Sequence, residues 1–393
     1  MSGETKNKIN KKIIGIDARL YGPTGAGLGR YIQEITDLIV GQDLDNEYVL
    51  FLSPQSIGDC QIDQSNVLKV VMPERWYTMA EQLAWPKLIK KYKLDLLHVP
   101  HFNAPIICSC PLIVTIHDLI LTKFPSRRAS TLPAAVYWLK NLAYRLVIKR
   151  AVRQAKKIIA ISQFTKDDIM TQFKVPSEKI TMIYNGFTNL TINQNKAERQ
   201  ADKTLLLRYN ITAKYLLYVG NAYPHKNLEW LVTSFYQWWQ KNQDYQLVLV
   251  GGSSFFYERL ASLVKKYWLQ EAPVRLTGFV PDNELAQLYQ QASLYVFPSR
   301  YEGFGLPPLE AMSHGCPVLA SNSSCLPEVL GEAAVYFQDN QINSFLQQLD
   351  LIVNNKEQRQ KLITAGFQQI KKYSWQDCAE KTKAVYLKVL NNQ

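Results

Sequence analysis

At 393 residues, with 47% apolar and 20% charged side chains, the chain is long enough for two domains of ordinary globular composition. No apolar run approaches the ~20 residues that cross a bilayer, and the six cysteines form no CxxC pair, which sets aside a membrane span and a cysteine metal knuckle and favours a reducing cytoplasm. The formal net charge of +12 is unevenly spread: from Leu119 to Lys166 there is no acidic residue, while Lys123, Arg127, Arg128, Lys140, Arg145, Lys149, Arg150, Arg153, Lys156, Lys157 and Lys166 all carry positive charge, which predicts one strongly basic face on the N-terminal half.

The lysines near the start are followed by an apolar stretch only from Ile13 to Ile16, ended by Asp17, which reads as a first strand and not as a signal peptide. Short β-branched runs then alternate with segments of helical period, the pattern of βαβ units in a parallel sheet. Strands are predicted over 13–17, 47–52, 67–71, 95–99, 112–117, 157–162 and 179–184, with helices near 28–40, 78–92, 130–155 and 163–173. Residues 186–205 are polar and aperiodic, and read as a linker. A second series follows, with strands over 215–220, 245–251, 274–278, 294–298, 317–320 and 333–337. The fold class is therefore α/β, two doubly wound domains in tandem, with ligands at the carboxyl ends of strands facing a cleft.

The most informative stretch is FPSRYEGFGLPPLEAMSHGCPVLAS, residues 297–321. It leaves a strand, passes Glu302-Gly303-Phe304-Gly305, and enters a helix opened by Pro307 and Pro308. A glycine-containing loop that runs into a helix N-terminus offers unpaired amides and a positive dipole end, which suits a diphosphate. Glu302 and Glu310 add two carboxylates able to accept hydrogen bonds from vicinal hydroxyls. In the first half, TGAGLGR brings Gly25, Gly27 and Gly29 to the start of a helix, a spacing that lacks the GxGxxG dinucleotide fingerprint. His117 and Asp118 end the strand LIVTIH, where α/β sheets place functional groups, and Asp17 ends the first strand. Asp43 and Asp45 imitate a metal-binding DxD, but turn chemistry explains them. The aromatic residues of FYQWWQKNQDY read as helix packing.

The E-x7-E of YEGFGLPPLEAM, together with TGAGLGRY, VTIHDL, AISQFTKDDI, IYNGF, YVGNAYPHKNL and GCPVLAS, resembles the retaining GT-B glycosyltransferases of family 4. The likeness runs over nearly the whole chain, and the segment from HVPHFNAP to LTKFPSRR looks closest to bacterial mannosyltransferases of surface-polysaccharide assembly. It implies two Rossmann-like domains, an acceptor-side domain over 1–200 and a donor domain over 201–373, with residues 374–393 forming a helix that packs back on the N-terminal domain. It also implies sugar transfer from a nucleotide diphosphate donor, GDP-mannose favoured and UDP-glucose or UDP-N-acetylglucosamine the alternatives, to a lipid-linked or polysaccharide acceptor, with no metal or other cofactor. Carried over, Glu302 would contact the donor sugar hydroxyls, Glu310 the ribose, and Lys226 the leaving phosphates, whose growing charge needs a cation where no metal is present. The amides of Gly303, Phe304, Gly305 and Leu306 would meet sugar and diphosphate. His117 would approach the donor sugar. Asp118, Asp17 and the three glycines would serve the acceptor or diphosphate side. Many relatives carry arginine immediately after the glycine of VG, where this chain has Asn221; His225 and Arg300 are then the neighbouring candidates for that charge.

The basic segment admits two further readings. Nucleic-acid binding is disfavoured, because its motifs are absent and the cations are interleaved with aliphatic residues as on an amphipathic helix. That interleaving suits anionic lipid head groups, and predicts a peripheral position at the inner face of the cytoplasmic membrane, with Arg145, Lys149, Arg153 and Lys156 forming one stripe on a helix from about 130 to 155.

Overall fold

The computed structural model describes residues 11–125, 133–187, 203–268 and 272–392, and these divide into two compact units. Unit 1 holds the described residues through Thr122, those from 133 to Gly186, and those from Ser374 onward; unit 2 holds Phe187–Tyr373 and the short stretch that begins at Lys123. Arg127 and Arg128 of the basic segment, and most of the polar stretch read as a linker, lie outside the described residues.

Unit 1 is built on seven parallel strands: β1 (Ile13–Asp17), β2 (Glu47–Leu52), β3 (Val67–Val71), β4 (Leu96–Val99), β5 (Leu112–Ile116), β6 (Lys157–Ala160) and β7 (Ile180–Met182). Their spatial order is β3-β2-β1-β4-β5-β6-β7, so the direction of winding reverses between β1 and β4. β4 and β5 are buried throughout and β6 from Ile158 onward, as a sheet covered by helices on both faces requires. On one face the helix Ala26–Gln42 packs its Ile32, Ile35 and Ile39 in a cluster with Cys378, Tyr386 and Val389 of the C-terminal helix Trp375–Asn391. That helix follows unit 2 in sequence yet completes unit 1, as the resemblance implied. On the other face Trp85, Ile89, Ile148 and Val152 come from the helices Met79–Lys91 and Ala134–Gln154.

Unit 2 has six parallel strands: β8 (Lys214–Val219), β9 (Tyr245–Val250), β10 (Val274–Gly278), β11 (Leu294–Phe297), β12 (Val318–Ser321) and β13 (Ala334–Phe337). Their order is β10-β9-β8-β11-β12-β13, with its own reversal between β8 and β11. The aromatic stretch 235–245 is packing, since Phe235, Trp238 and Tyr245 are buried and Trp238 Nε1 donates to Asp350 at 2.6 Å. In unit 1, Asp43 holds a turn: it accepts from the Asp45 N–H, Asn46 Nδ2 and the Tyr48 hydroxyl.

Candidate active site

Ligands of parallel α/β sheets collect outside the carboxyl ends of strands where the winding reverses. In unit 2 those strands are β8 and β11, and the two motif loops predicted for the donor follow them. Behind β8 the chain runs through Gly220 and the exposed Asn221 to the single 3-10 turn Pro224–Lys226; behind β11 it runs from Ser299 to Gly305 and into the helix Leu306–Ser313. The two loops meet in an ion pair, Lys226 Nζ donating to Glu302 Oε1 at 2.5 Å, with the side chains 13% and 10% exposed. The Ser299 hydroxyl donates to the same carboxylate oxygen, Ser324 Oγ accepts the Glu302 N–H at 3.0 Å, and the Arg300 N–H donates to the His225 carbonyl at 2.8 Å.

Gly305 sits at φ +92°, a conformation side chains rarely adopt, and it caps the helix. Because Pro307 and Pro308 have no N–H, Leu306 and Leu309 alone carry amide hydrogens in the first four helical positions, so an anion there depends on the loop amides that precede them. Phe304 is buried with its ring edge-on to Tyr373 at 5.2 Å. Glu310 lies one turn into the same helix, half-buried, and accepts from the Tyr289 hydroxyl at 3.3 Å.

Of the two candidates for the charge missing at Asn221, His225 does not supply it at neutral pH. Burial, and then the neighbouring Lys226, hold the His225 imidazole down to about 4, so it is uncharged. Arg300 has its Nε on Asp339 Oδ2 at 3.1 Å and its guanidinium 5.9 Å from the Phe124 ring centre.

In unit 1 the predicted residues divide into those that support and those that present. Asp17 supports: it is fully buried, and both its oxygens accept from Arg19, at 2.8 and 2.7 Å. It is a structural anion and does not line a cavity. Gly25 and Gly29 also serve the fold, since a Cβ on Gly29 would lie 2.2 Å from the Gly22 carbonyl oxygen and one on Gly25 2.3 Å from that of Leu20. Of the three glycines Gly27 alone has open space at its Cβ position. Asp118 caps the short helix Ile120–Lys123 by accepting the Ile120 N–H at 2.9 Å. His117, at the end of β5, donates from Nε2 to the Pro100 carbonyl at 3.1 Å, which leaves Nδ1 as an acceptor. Burial holds this imidazole down to about 4, so it is neutral at pH 7, and the Tyr31 ring packs edge-on against it at 4.6 Å.

Sequence reasoning missed Ser299 and Ser324, which lock Glu302 in place, although Ser299 stood inside the quoted motif. It also missed Glu81, which joins Asp17 on Arg19 at 2.6 Å from 62 positions away; nothing local in the sequence marks that partner.

The comparisons with known proteins agree with this arrangement. A family model described as glycosyl transferases group 1 matches residues 207–369, and one described as glycosyltransferase family 4 matches residues 26–188. O-antigen chain mannosyltransferase B of Escherichia coli is 30% identical over 307 residues, 77% of this chain and 76% of that protein. O-antigen chain mannosyltransferase RfbU of Salmonella typhimurium is 27% identical over 330 residues, 80% of this chain and 84% of that protein. A solved glycosyltransferase from Rickettsia africae shares the fold, with a TM-score of 0.69 at 18% identity over 98% of this chain and 100% of that one. With both units matched by family models and a relative of this similarity over most of its length, the chain belongs to the group 1, family 4 glycosyltransferases of GT-B architecture.

Proposed function

We propose that this glycosyltransferase moves mannose from GDP-mannose, without a metal and with retention at the anomeric carbon, to a lipid-linked or saccharide acceptor of a surface polysaccharide. The observation that carries the reading is the Lys226–Glu302 pair at the strand reversal of unit 2, supported by relatives named as O-antigen mannosyltransferases. In the step, the bond from the anomeric carbon to the β-phosphate oxygen breaks and the acceptor hydroxyl oxygen bonds to the same face. Its proton passes to the departing phosphate oxygen. Lys226 meets the charge that develops on the diphosphate, and the loop amides from Gly303 to Leu306 share it. Glu302 orients the sugar hydroxyls and Glu310 the ribose. In unit 1, His117 is neutral and its Nδ1 can accept the hydrogen of a substrate hydroxyl.

The same reading places the protein at the inner face of the cytoplasmic membrane. Arg145, Lys149 and Arg153 are exposed at steps of four along the helix Ala134–Gln154, beside exposed Leu142 and Leu146, and each cation near an anionic surface adds about 1 kcal/mol. Lys156, expected in that stripe, lies beyond the helix end, where its N–H donates to the Leu112 carbonyl.

A donor screen in EDTA tests the chemistry. GDP-mannose should be consumed and the product should carry an α-linked mannose by NMR. Use of UDP-glucose or UDP-N-acetylglucosamine with GDP-mannose inert would replace the donor, a β-linked product would end the retaining step, and activity that returns only with Mg²⁺ or Mn²⁺ would end the metal-free one.

A further inference from the structure

Tyr77 stands where a tyrosine is costly and buries little. Its φ is +62°, a left-handed conformation that asparagine and glycine tolerate and bulky residues avoid, and the residue is 62% exposed. The backbone is held in this state from below. The Tyr77 N–H donates to Glu81 Oε2 at 2.8 Å, and Glu81, fully buried, also accepts from Arg19 at 2.6 Å and from Asn103 Nδ2 at 2.8 and 3.0 Å. Arg19, equally buried, lies 3.9 Å from the Trp76 ring centre. Burial opposes its charge, but the Asp17 and Glu81 carboxylates override that and raise its pKa. A buried ionic cluster thus fixes a strained residue whose ring adds little to the core.

The ring that is held out has aromatic neighbours. It stacks on Phe102 at 6.0 Å and 29° and lies 6.4 Å from the Trp76 ring, with His101 beside both, 6.3 Å from Tyr77 and 5.8 Å from Trp76. The two segments follow β3 and β4, at the carboxyl ends of the unit 1 sheet, and His101 comes immediately after Pro100, whose carbonyl accepts from His117. A pyranose offers an apolar C–H face and a rim of hydroxyls. Flat rings take the face, and the Tyr77 hydroxyl and the imidazole of His101 take the rim. The four rings themselves are uncharged, since burial holds His101 down to about 3, while the charged Arg19 lies under Trp76.

The geometry points to a stacking subsite for a neutral pyranose of the acceptor saccharide, with Tyr77 as its floor and Trp76, His101 and Phe102 around it. The inference rests on the reading of the protein as a transferase that extends a saccharide. Tyr77 thereby selects the acceptor, and a glycan with a terminal hexopyranose binds better than a simple alcohol.

The test uses the whole chain and α-1,3-mannobiose as the probe. Tyr77→Asn removes the ring and keeps a residue that accepts φ above zero, and Tyr77→Gly is the second variant should the first fail to fold. Saturation-transfer NMR on the resting protein should show the mannobiose signal in the parent and its loss in the variants. In turnover, the acceptor KM should rise about tenfold or more while the donor KM moves less than about twofold; Tyr77→Phe should keep most of the binding. Absence of mannobiose binding in the parent overturns the subsite, as does unchanged binding in folded Tyr77→Asn, or a variant altered only in its binding to anionic liposomes. If no nucleotide sugar is turned over, the donor reading fails, and the NMR arm still decides on the subsite.

Discussion

The contact between Lys226 and Glu302 joins residues 76 positions apart, and in this largely buried setting the two charges compensate each other. Ser299 also donates to the Glu302 carboxylate, and Ser324 accepts the Glu302 backbone N–H, so side chain and backbone are each held. We predict that Glu302→Gln and Lys226→Ala each lower kcat/KM by about 100-fold or more, the first because the carboxylate that orients the sugar hydroxyls and holds Lys226 is lost, the second because charge at the departing diphosphate is stabilised less. The double variant should lose much less than the product of the two losses, since residues in direct contact are not additive. Steady-state kinetics with melting curves on all three proteins check this, and near-normal turnover in a folded single variant removes the assignment. His225 stands beside the pair and, being neutral, leaves Lys226 as the nearer cation; the sequence suggested it as a charge carrier because burial of its ring has no local signature.

Among the elements, the strands were legible and their ends nearly so. β1, β2, β3 and β10 have the predicted bounds, and the others shift by two residues or fewer at either end, because buried parallel strands are continuous β-branched runs with few other uses. The helix Ala134–Gln154 ends one residue from its predicted C-terminal bound, and Lys156, counted in the stripe although it lay past that bound, does not join it. What no period reveals is which distant side chain meets which: Glu81 on Arg19, or Ser324 on Glu302. The stripe itself yields a prediction at this scale. Reversing Arg145, Lys149 and Arg153 to glutamate should release the protein from phosphatidylglycerol liposomes in a flotation assay and slow transfer to a lipid acceptor, with donor hydrolysis unchanged. A parent protein that fails to float at low salt removes the membrane from the reading.

For the whole molecule, burial lowers the pKa of all five imidazoles, to about 3 for His98 and His101, to about 4 for His117 and His225, and in the same direction for His314. In the unfolded chain they return to about 6.5. Below that value the unfolded state binds protons that the folded state refuses, so folding stability is full above about pH 6.5 and falls as pH is lowered toward about 4. Both units contribute, His98, His101 and His117 in unit 1 and His225 and His314 in unit 2. Melting temperatures measured from pH 7.5 to 4.5 should decline steadily through this window, and a flat profile would show that these rings are solvated.

The helix Trp375–Asn391 has one more consequence. It is translated after all of unit 2, yet its Cys378, Tyr386 and Val389 cover the aliphatic face of the helix Ala26–Gln42. On the ribosome, the later sheet can therefore close while the earlier one still waits with that face bare, the reverse of the usual order in which the leading domain folds first. A nascent chain stalled before Trp375 would be a target for holdase chaperones.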